Sequence, residues 1–457
     1  MFGSLLRSLR REPHPGCEAV LRVPRVMRLA FTALGKKREL ISSESIAGEP
    51  VLLFGMIMSL TACMALILIK DSAPTKKRFL PMRPRLLLLI TEDRFLWSHR
   101  LPIARAALLD GYEVIIATRV NGDAQRIHDE GFRLIPLHLA RESYSLLNEL
   151  RAIRELREVY RAEHPDIVHH IALKPVLYGS IAALGRNGML VVNALTGLGY
   201  LATSSSLRAR SLRLPIWILL KFLLNRPNHR VLLQNQEDKQ LLVTKLKVSP
   251  EKISIIRGSG VNPTLFHPTP EPAGAPIVLL AARMLWIKGI REFVEAANLL
   301  KRKGITARFV LAGDSDPNSP SAIPRQQLLN WQISGAIEWW GHQQEMSEIF
   351  RQVNVVCLPS QGGEGVPKVL IEAAASGRAI VATDVPGCRD IVRQGINGVL
   401  VPPRNTAALA EAIEQLLQNP EMRQQMAARG REIAQNEFSE EVVVRQTLAL
   451  YRELLRP

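Results

Sequence analysis

The sequence predicts an α/β protein in which two Rossmann-like domains, each with a doubly wound parallel sheet, face a cleft and follow one transmembrane helix. Three observations support this prediction. Short apolar runs alternate with helical segments from residue 85 onward, a proline-rich stretch divides this alternation into two halves, and an uncharged apolar segment precedes it. Such alternation is typical of parallel sheets that are covered by helices on both faces.

The composition agrees with a folded chain of two or more domains. Of its 457 residues, 47% are hydrophobic and 22% are charged, which argues against a disordered chain or a polytopic membrane protein. The four cysteines lack the spacing of a zinc module or a disulfide scaffold. The net charge of +17 indicates an anionic partner, such as nucleic acid, anionic lipid or a phosphorylated substrate.

Residues 1–81 form a basic N-terminal region with 13 Lys/Arg against 6 Asp/Glu. Within it, residues 51–69 carry no charge and would form a helix of roughly 28 Å, enough to cross a membrane. The denser basic cluster follows this segment, which favours cytoplasmic domains at the inner (cytoplasmic) membrane, held by a single pass or peripherally. A secretory signal peptide agrees less well with so late and long a segment. Alternatively, residues 1–81 do not belong to the natural product, because Met82 directly precedes the first strand-like run.

Residues 82–264 are predicted to form the first domain. Its strands are expected at 85–91, 113–118, 132–137, 166–170, 190–193 and 231–234, with helices at 99–109 and 146–163.

Residues 265–276 are predicted to be an interdomain linker, because their prolines suit neither a helix interior nor a central strand. Residues 277–435 repeat the alternation as a second domain. The predicted strands are 277–282, 308–312, 353–358, 379–383 and 398–401, and a helix begins at Ile290. We expect a C-terminal helix in residues 436–457 to pack back toward the first domain.

Two cations follow the first strand of the second domain. Arg283 and Lys288 lie at its carboxyl end, just before a helix N-terminus. The forked guanidinium can bind two oxygens, Lys288 adds a point charge, and the helix contributes free N–H groups. The loop is therefore suited to a diphosphate.

A second loop, residues 362–367 with the sequence GGEGVP, follows the strand that ends at Leu358 and leads into a helix. Glycines allow a ligand close to the backbone, and Pro367 suits the first helical turn. Glu372 interrupts an apolar run in that helix and leans toward the helix N-terminus, where sugar or ribose hydroxyls could satisfy its carboxylate. For either Glu364 or Glu372 alone, an exposed or salt-bridged structural role is the simpler interpretation.

Taken together, these residues resemble a known family. The Glu364-x7-Glu372 spacing, Arg283, Lys288 and the sequence ATDVPGCRDIVRQGINGVLVPP are similar to the donor domain of family 4 retaining glycosyltransferases of the two-Rossmann-domain (GT-B) type. The segments DIVHHIALKPVLYGS and VVNALTGLGYLATS resemble bacterial enzymes that build undecaprenyl-diphosphate-linked glycans or exopolysaccharide. The resemblance covers roughly residues 82–455.

The resemblance implies transfer of a hexose or N-acetylhexosamine from a nucleotide sugar, with UDP as the expected nucleotide. The implied acceptor is lipid-linked or a polysaccharide precursor. The implied reaction retains the anomeric configuration and needs no metal cofactor. It assigns Arg283 and Lys288 to the diphosphate, Glu372 to the ribose and Glu364 to the sugar. The other implied donor contacts are Gly363, Gly365, Val366 and Pro367. The implied acceptor-side residues are His170 and Lys174, together with His99 and Arg100 as anion contacts. His99 and Arg100 belong to the segment TEDRFLWSHR, which stands where the fold usually has a glycine-rich loop.

Two features admit other interpretations. Asp314-Ser315-Asp316 matches a three-residue metal signature, but a solvated turn is the preferred interpretation. Residues 205–230 are basic and apolar, which is typical either of a helix on an anionic inner-leaflet membrane or of a helix packed inside the domain. No recognised motif supports nucleic-acid binding.

Two alternative functions stay open: a nucleotide-sugar epimerase of the same fold, and a catalytically silent membrane scaffold. The four residues Arg283, Lys288, Glu364 and Glu372 argue against the scaffold. The absence of a plain acid/base set for proton abstraction argues against the epimerase.

Overall fold

The computed structural model describes residues 83–122, 124–139, 146–197, 207–316, 319 and 321–456. The predicted transmembrane helix at 51–69, like the rest of residues 1–81, lies outside these residues. Within the described part of the chain, no helix is both long enough and apolar enough to span a membrane.

The first domain contains a seven-stranded parallel sheet in the order β3-β2-β1-β4-β5-β6-β7. An interior strand, β1, is buried on both faces, because its four consecutive leucines, residues 86–89, are each 0% exposed. The strands are β1 Arg85–Glu92, β2 Glu113–Arg119, β3 Arg133–Pro136, β4 Ile167–Ile171, β5 Leu190–Ala194, β6 His229–Leu233 and β7 Ile253–Ile255.

Helices cover both faces of this sheet. A π-helical turn at Leu96–Arg100 runs directly into the first of them. The helices are α1 Leu101–Leu109, α2 Ala124–Asp129, α3 Leu146–Glu163, α4 Leu173–Ala182, α5 Leu207–Leu224 and α6 Gln236–Leu241.

The second domain contains a six-stranded parallel sheet in the order β10-β9-β8-β11-β12-β13. The linker residues 265–276 contain neither helix nor strand. The strands are β8 Ile277–Ala281, β9 Arg308–Ala312, β10 Glu338–Gly341, β11 Val355–Leu358, β12 Ala379–Thr383 and β13 Gly398–Val401. The helices are α7 Ile290–Arg302, α8 Arg325–Ile333, α9 Met346–Arg351, α10 Lys368–Ala375, α11 Cys388–Ile391, α12 Thr406–Gln418, α13 Pro420–Phe438 and α14 Glu440–Leu455.

The last helix returns to the first domain. Val443, Leu448, Leu450 and Tyr451 of α14 are buried in the same apolar cluster as strands β1, β2 and β4. Tyr451 is 0% exposed, and its ring packs edge-on against His169 of β4. The C-terminal helix therefore completes one face of the first domain.

The two parallel-sheet domains are confirmed. Several elements within them were not individually predicted, among them two strands and one helix with weak apolar patterns. β7 has only three residues, and β10, with the sequence EWWG, is half-buried throughout and lacks an apolar run. The helix α8 has little apolar periodicity, since Leu328 is its one fully buried residue. All three lie at or beside a sheet edge, where the burial that marks a central strand is weakest.

Candidate active site

Each sheet reverses its strand order once, between β1 and β4 in the first domain and between β8 and β11 in the second. In open α/β sheets, ligands bind beyond the carboxyl ends of the strands at such a switch point. The two predicted donor loops follow β8 and β11, so the switch point brings them together.

Lys288, Ser360 and Glu364 form one connected polar group at this point. Lys288 Nζ lies 2.6 Å from Glu364 Oε1, and Ser360 Oγ donates to the same oxygen at 2.7 Å. The Glu364 side chain is only 14% exposed. Glu364 is therefore a held carboxylate at the base of the loop and not a simply exposed one.

The two glutamates of the E-x7-E pattern have opposite pKa shifts. Burial alone would raise the pKa of Glu364, but the charge and hydrogen bond of Lys288, with the Ser360 hydroxyl and Arg283, bring it below its ordinary value. Burial raises the pKa of Glu372, and Lys368 offsets this only in part. Glu364 is consequently the more firmly ionised carboxylate.

Arg283 is half-exposed and pairs with Asp316, whose Oδ2 lies 2.9 Å from Arg283 Nη1. Asp316 is 15% exposed, so the expected solvated turn is wrong for this residue. The contact arises because β9 is the neighbour of β8 and its carboxyl-end loop lies at the same edge. Among the residues the structure describes, no three or more His, Cys, Asp or Glu side chains are grouped to hold a metal ion.

The glycine-rich loop contacts the first domain directly. The Val366 N–H donates to Gln234 Oε1 at 2.8 Å, just beyond β6. A Cβ atom on Gly365 would collide with Gln234 Oε1 and the Thr196 carbonyl oxygen, and Gly197 approaches the same loop with a φ of +132°. The absence of side chains at 365 and 197 therefore lets the two domains meet at this loop.

Gly363 and Pro367 shape the rest of the loop. Gly363 has a φ of +84°, a conformation that favours glycine, and Pro367 is the N-cap residue of α10. Glu372 is buried one turn into α10, with its Oε1 3.5 Å from Lys368 Nζ. Lys368 also donates to the Ser98 carbonyl oxygen of the first domain, so this lysine bridges the cleft.

The structure corrects the assignment of His170 to the acceptor side. His170 is 0% exposed and lies between Tyr160, whose hydroxyl is 2.9 Å from Nε2, and Asn193, whose Oδ1 is 2.8 Å from Nδ1. Ser180 donates to the same Asn193 oxygen. Because this oxygen only accepts, His170 carries its proton on Nδ1 and serves a buried hydrogen-bond network.

We predict that His170 stays neutral well below the usual histidine range. Burial lowers its pKa to about 4, and the Asn193 hydrogen bond opposes this only in part. Between pH 6.5 and about 4 the unfolded chain binds a proton that the folded chain does not, so the unfolding free energy falls as the pH falls. Because of this one residue, the free energy of unfolding should be about 1 kcal/mol lower at pH 5.5 than at pH 7.5.

The measurement is an NMR titration of the imidazole signals between pH 7.5 and 5.5, together with denaturant unfolding at both pH values. Burial also lowers the pKa of His169 and His229, so all three rings should stay neutral. A His170 signal that titrates near pH 6.5 would contradict the buried network.

The other residues predicted for the acceptor side, namely Lys174, His99 and Arg100, have three different environments. Lys174 is paired with the buried carboxylate of Glu149 at 3.1 Å. His99 accepts or donates a 2.6 Å hydrogen bond with Ser98 Oγ, and burial, followed by the charges of Lys368 and Arg100, lowers its pKa to about 3. Arg100 is buried, with 4% exposure.

Sequence reasoning missed two residues that complete the site, Gln234 and Ser360, and it assigned a third, Asp316, to a solvated turn. Each lies within a few residues of the carboxyl end of a strand, namely β6, β9 and β11. A search for polar residues after every predicted strand, without a motif requirement, would have identified them.

Two domains of this type, with cations and a glycine-rich loop at the switch point, define a GT-B glycosyltransferase fold. Residues 85–235 match the family described as Glycosyl transferase 4-like, and residues 275–419 match Glycosyl transferases group 1. The two matches together cover more than half of the chain. The chain therefore belongs to the group 1, family-4-like glycosyltransferases, which are enzymes that transfer sugars.

Its relatives include bacterial enzymes that act on lipid-linked glycans. The N,N'-diacetylbacillosaminyl-diphospho-undecaprenol alpha-1,3-N-acetylgalactosaminyltransferase of Campylobacter jejuni is 27% identical over 79% of this chain and 96% of its own length. The UDP-Gal:alpha-D-GlcNAc-diphosphoundecaprenol alpha-1,3-galactosyltransferase of Escherichia coli is 22% identical over 64% and 76%. The structure of Anabaena HepE in complex with UDP and glucose matches with a TM-score of 0.64, 16% identity, and coverage of 80% and 99%, which shows the shared fold.

Proposed function

We propose that this enzyme moves a hexose or N-acetylhexosamine from a UDP-sugar to an undecaprenyl-diphosphate-linked or polysaccharide-precursor acceptor, with retention of anomeric configuration. The observation that carries the proposal is the convergence of Arg283, Lys288 and Glu364 at the switch point of the second domain. The named acceptors of the two relatives support the acceptor class, and the UDP complex of HepE supports the nucleotide.

The cations supply the main catalytic effect under this proposal. Negative charge grows on the diphosphate as the bond to the sugar breaks, and preorganised positive groups stabilise it. Arg283 and Lys288 are each paired with a carboxylate, which holds their charges at the edge of the sheet. These two cations perform the role that a divalent metal has in other transferases, so we propose a metal-independent reaction.

Retention is proposed to follow a same-face displacement. The bond from the anomeric carbon to the leaving phosphate oxygen breaks, the acceptor oxygen bonds to that carbon from the same side, and the acceptor proton passes to the departing phosphate. Two successive inversions would need a free carboxylate nucleophile. In the donor loop and its helix, Glu364 is held by Lys288 and Ser360, and Glu372 lies beside Lys368, which supports roles in orienting sugar and ribose.

The test is UDP release from UDP-sugars with and without a GlcNAc-diphospho-undecaprenol acceptor, with EDTA in a parallel series. We expect UDP release that depends on the acceptor and persists in EDTA. The NMR signal of the anomeric proton in the product should show that the new linkage retains the donor configuration. Nucleotide-sugar isomerisation without an acceptor would favour the epimerase. Loss in EDTA that manganese restores would contradict metal independence, and an inverted linkage would contradict retention.

We also propose that α5 docks on anionic lipid at the inner face of the cytoplasmic membrane. Leu214, Ile218 and Phe222 are 68%, 49% and 38% exposed and lie four residues apart, so they form an apolar stripe on one face of the helix. Lys221 lies beside this stripe and is exposed, and the 18 residues of α5 include no acidic residue. An apolar face with basic neighbours suits an anionic bilayer surface.

The measurement is flotation of residues 82–457 with vesicles that contain or lack phosphatidylglycerol. We expect binding that needs the anionic lipid and is lost when Leu214, Ile218 and Phe222 are all changed to Ser. Ile333→Ser is the control, because Ile333 is 81% exposed in the other domain. If the triple variant floats as well as the unsubstituted protein, docking through α5 is contradicted. If the protein loses its tertiary structure when residues 1–81 are removed, those residues are part of the fold.

A further inference from the structure

Arg100 differs from the other buried arginines of the described chain. Arg100, Arg378 and Arg423 are each no more than 4% exposed. Arg378 donates to the Phe350 carbonyl oxygen and to Thr269, and Arg423 binds Glu271 and the Leu416 carbonyl oxygen. By contrast, no described residue forms a hydrogen bond or ion pair with the side chain of Arg100, and its buried Nε atom has no partner.

A buried guanidinium without a counter-charge is costly, because the charge loses its hydration and gains nothing in return. Burial lowers the pKa of Arg100, and only the Tyr451 hydroxyl opposes this change; no carboxylate contributes. The arrangement fits a site that receives its anion from outside the protein.

A second buried polar atom without a partner belongs to the same place. His169 Nδ1 lies 2.5 Å from the Tyr451 hydroxyl, while His169 Nε2 is buried and lacks a partner. Burial lowers the pKa of His169, and the charge of Arg100 lowers it further, so the ring is neutral. If the Tyr451 hydroxyl donates to Nδ1, the proton of the ring is on Nε2, and Arg100 and His169 both offer donors.

The place lies at the switch point of the first domain. Arg100 is the last residue of the π-helical turn that follows β1, a rare conformation that is frequent at functional sites. Two residues earlier, the Ser98 carbonyl oxygen accepts a hydrogen bond from Lys368, which opens α10 in the second domain. The turn that carries Arg100 therefore lies at the cleft, opposite the donor loop.

We infer that Arg100, supported by His169, binds a phosphate group of the acceptor's lipid diphosphate. The inference rests on the proposed function and adds a site on the first domain. The donor diphosphate already has Arg283 and Lys288 on the second domain, so a separate cation across the cleft suits the other substrate. Guanidinium and imidazole N–H donors are the groups that recognise phosphate oxygens.

The test is steady-state kinetics of Arg100→Gln with a diphospho-undecaprenol acceptor and, separately, with the UDP-sugar varied. Loss of a charged hydrogen bond typically costs about 10- to 100-fold, so we expect the acceptor KM to rise by that factor while the donor KM stays unchanged. Arg100→Lys should recover part of the loss. Arg105→Gln is the matched control, because Arg105 lies five residues further along, in α1, but is exposed and paired with Glu130.

Three results would overturn the inference: an unchanged acceptor KM in folded Arg100→Gln, an equal rise in both KM values, and a loss that is as large with an acceptor that lacks the diphosphate. If Arg100→Gln does not fold, the acceptor KM of Lys288→Ala is measured with and without inorganic pyrophosphate. We then expect pyrophosphate to compete with the acceptor and to raise the acceptor KM. Absence of competition would also overturn the inference. Wild-type enzyme that transfers no sugar at all would instead contradict the proposed function.

Discussion

Replacing Lys288 with alanine should lower turnover by about 100- to 1000-fold, the usual loss when one preorganised donor to a developing charge is removed. Lys288 holds Glu364 at 2.6 Å and faces the position proposed for the leaving diphosphate. Its removal therefore takes away a positive charge and also frees the carboxylate that orients the sugar. The measurement is kcat and KM with a UDP-sugar and a diphospho-undecaprenol acceptor.

Lys303→Ala is the control for this variant. Lys303 is half-exposed and is paired with Glu414 at 2.6 Å on the surface of the same domain. Its loss should leave turnover unchanged, because exposed ion pairs contribute little. Normal turnover in folded Lys288→Ala would remove this residue from the catalytic site.

The stability of Lys288→Ala provides a second readout. In the wild type the pKa of Glu364 is held below its ordinary value, so the ion pair stabilises the fold above about pH 4.5 and is lost as the pH falls through the folded pKa. The variant should therefore be less stable than the wild type at pH 7, and the difference should shrink in acid. A difference that is independent of pH would contradict the ionised pair.

Gly365→Ala should reduce turnover by about 100-fold or more while leaving each domain folded. The new methyl group would meet Gln234 Oε1 and the Thr196 carbonyl oxygen, both in the first domain. The side-chain end can move, whereas the backbone oxygen can yield only if the donor loop or the domain shifts. A displacement of about 1 Å at a reacting centre can cost about 100-fold in rate.

Gly188→Ala is the matched control, because a Cβ atom there meets no atom within 4 Å. The measurements are turnover, thermal unfolding and the affinity for UDP by calorimetry. Full activity of Gly365→Ala would show that the close approach of the two domains at this loop is not needed for catalysis.

Local sequence patterns were sufficient to place the two loops that are proposed to bind the donor next to each other. Arg283 directly follows an apolar run that ends at Ala282, and the glycine-rich loop follows the run that ends at Leu358. Parallel strands have their carboxyl ends at one edge, so the β8 and β11 loops become neighbours without further information. The two-domain α/β fold follows from the same apolar runs, because strands buried on both faces have little freedom in where they lie.

Only the tertiary structure decided what each of these side chains contacts. The alternation of β4 places His169 and His170 on opposite faces, but it contains no information on what covers those faces. One face is covered by α14, whose Tyr451 is 282 positions away from His169, and the other by Tyr160 of α3. The burial and pKa of these histidines, and the lack of a partner for the Arg100 side chain, depend on such distant segments. The environments of the residues predicted for the acceptor side therefore could not be read from local spacing.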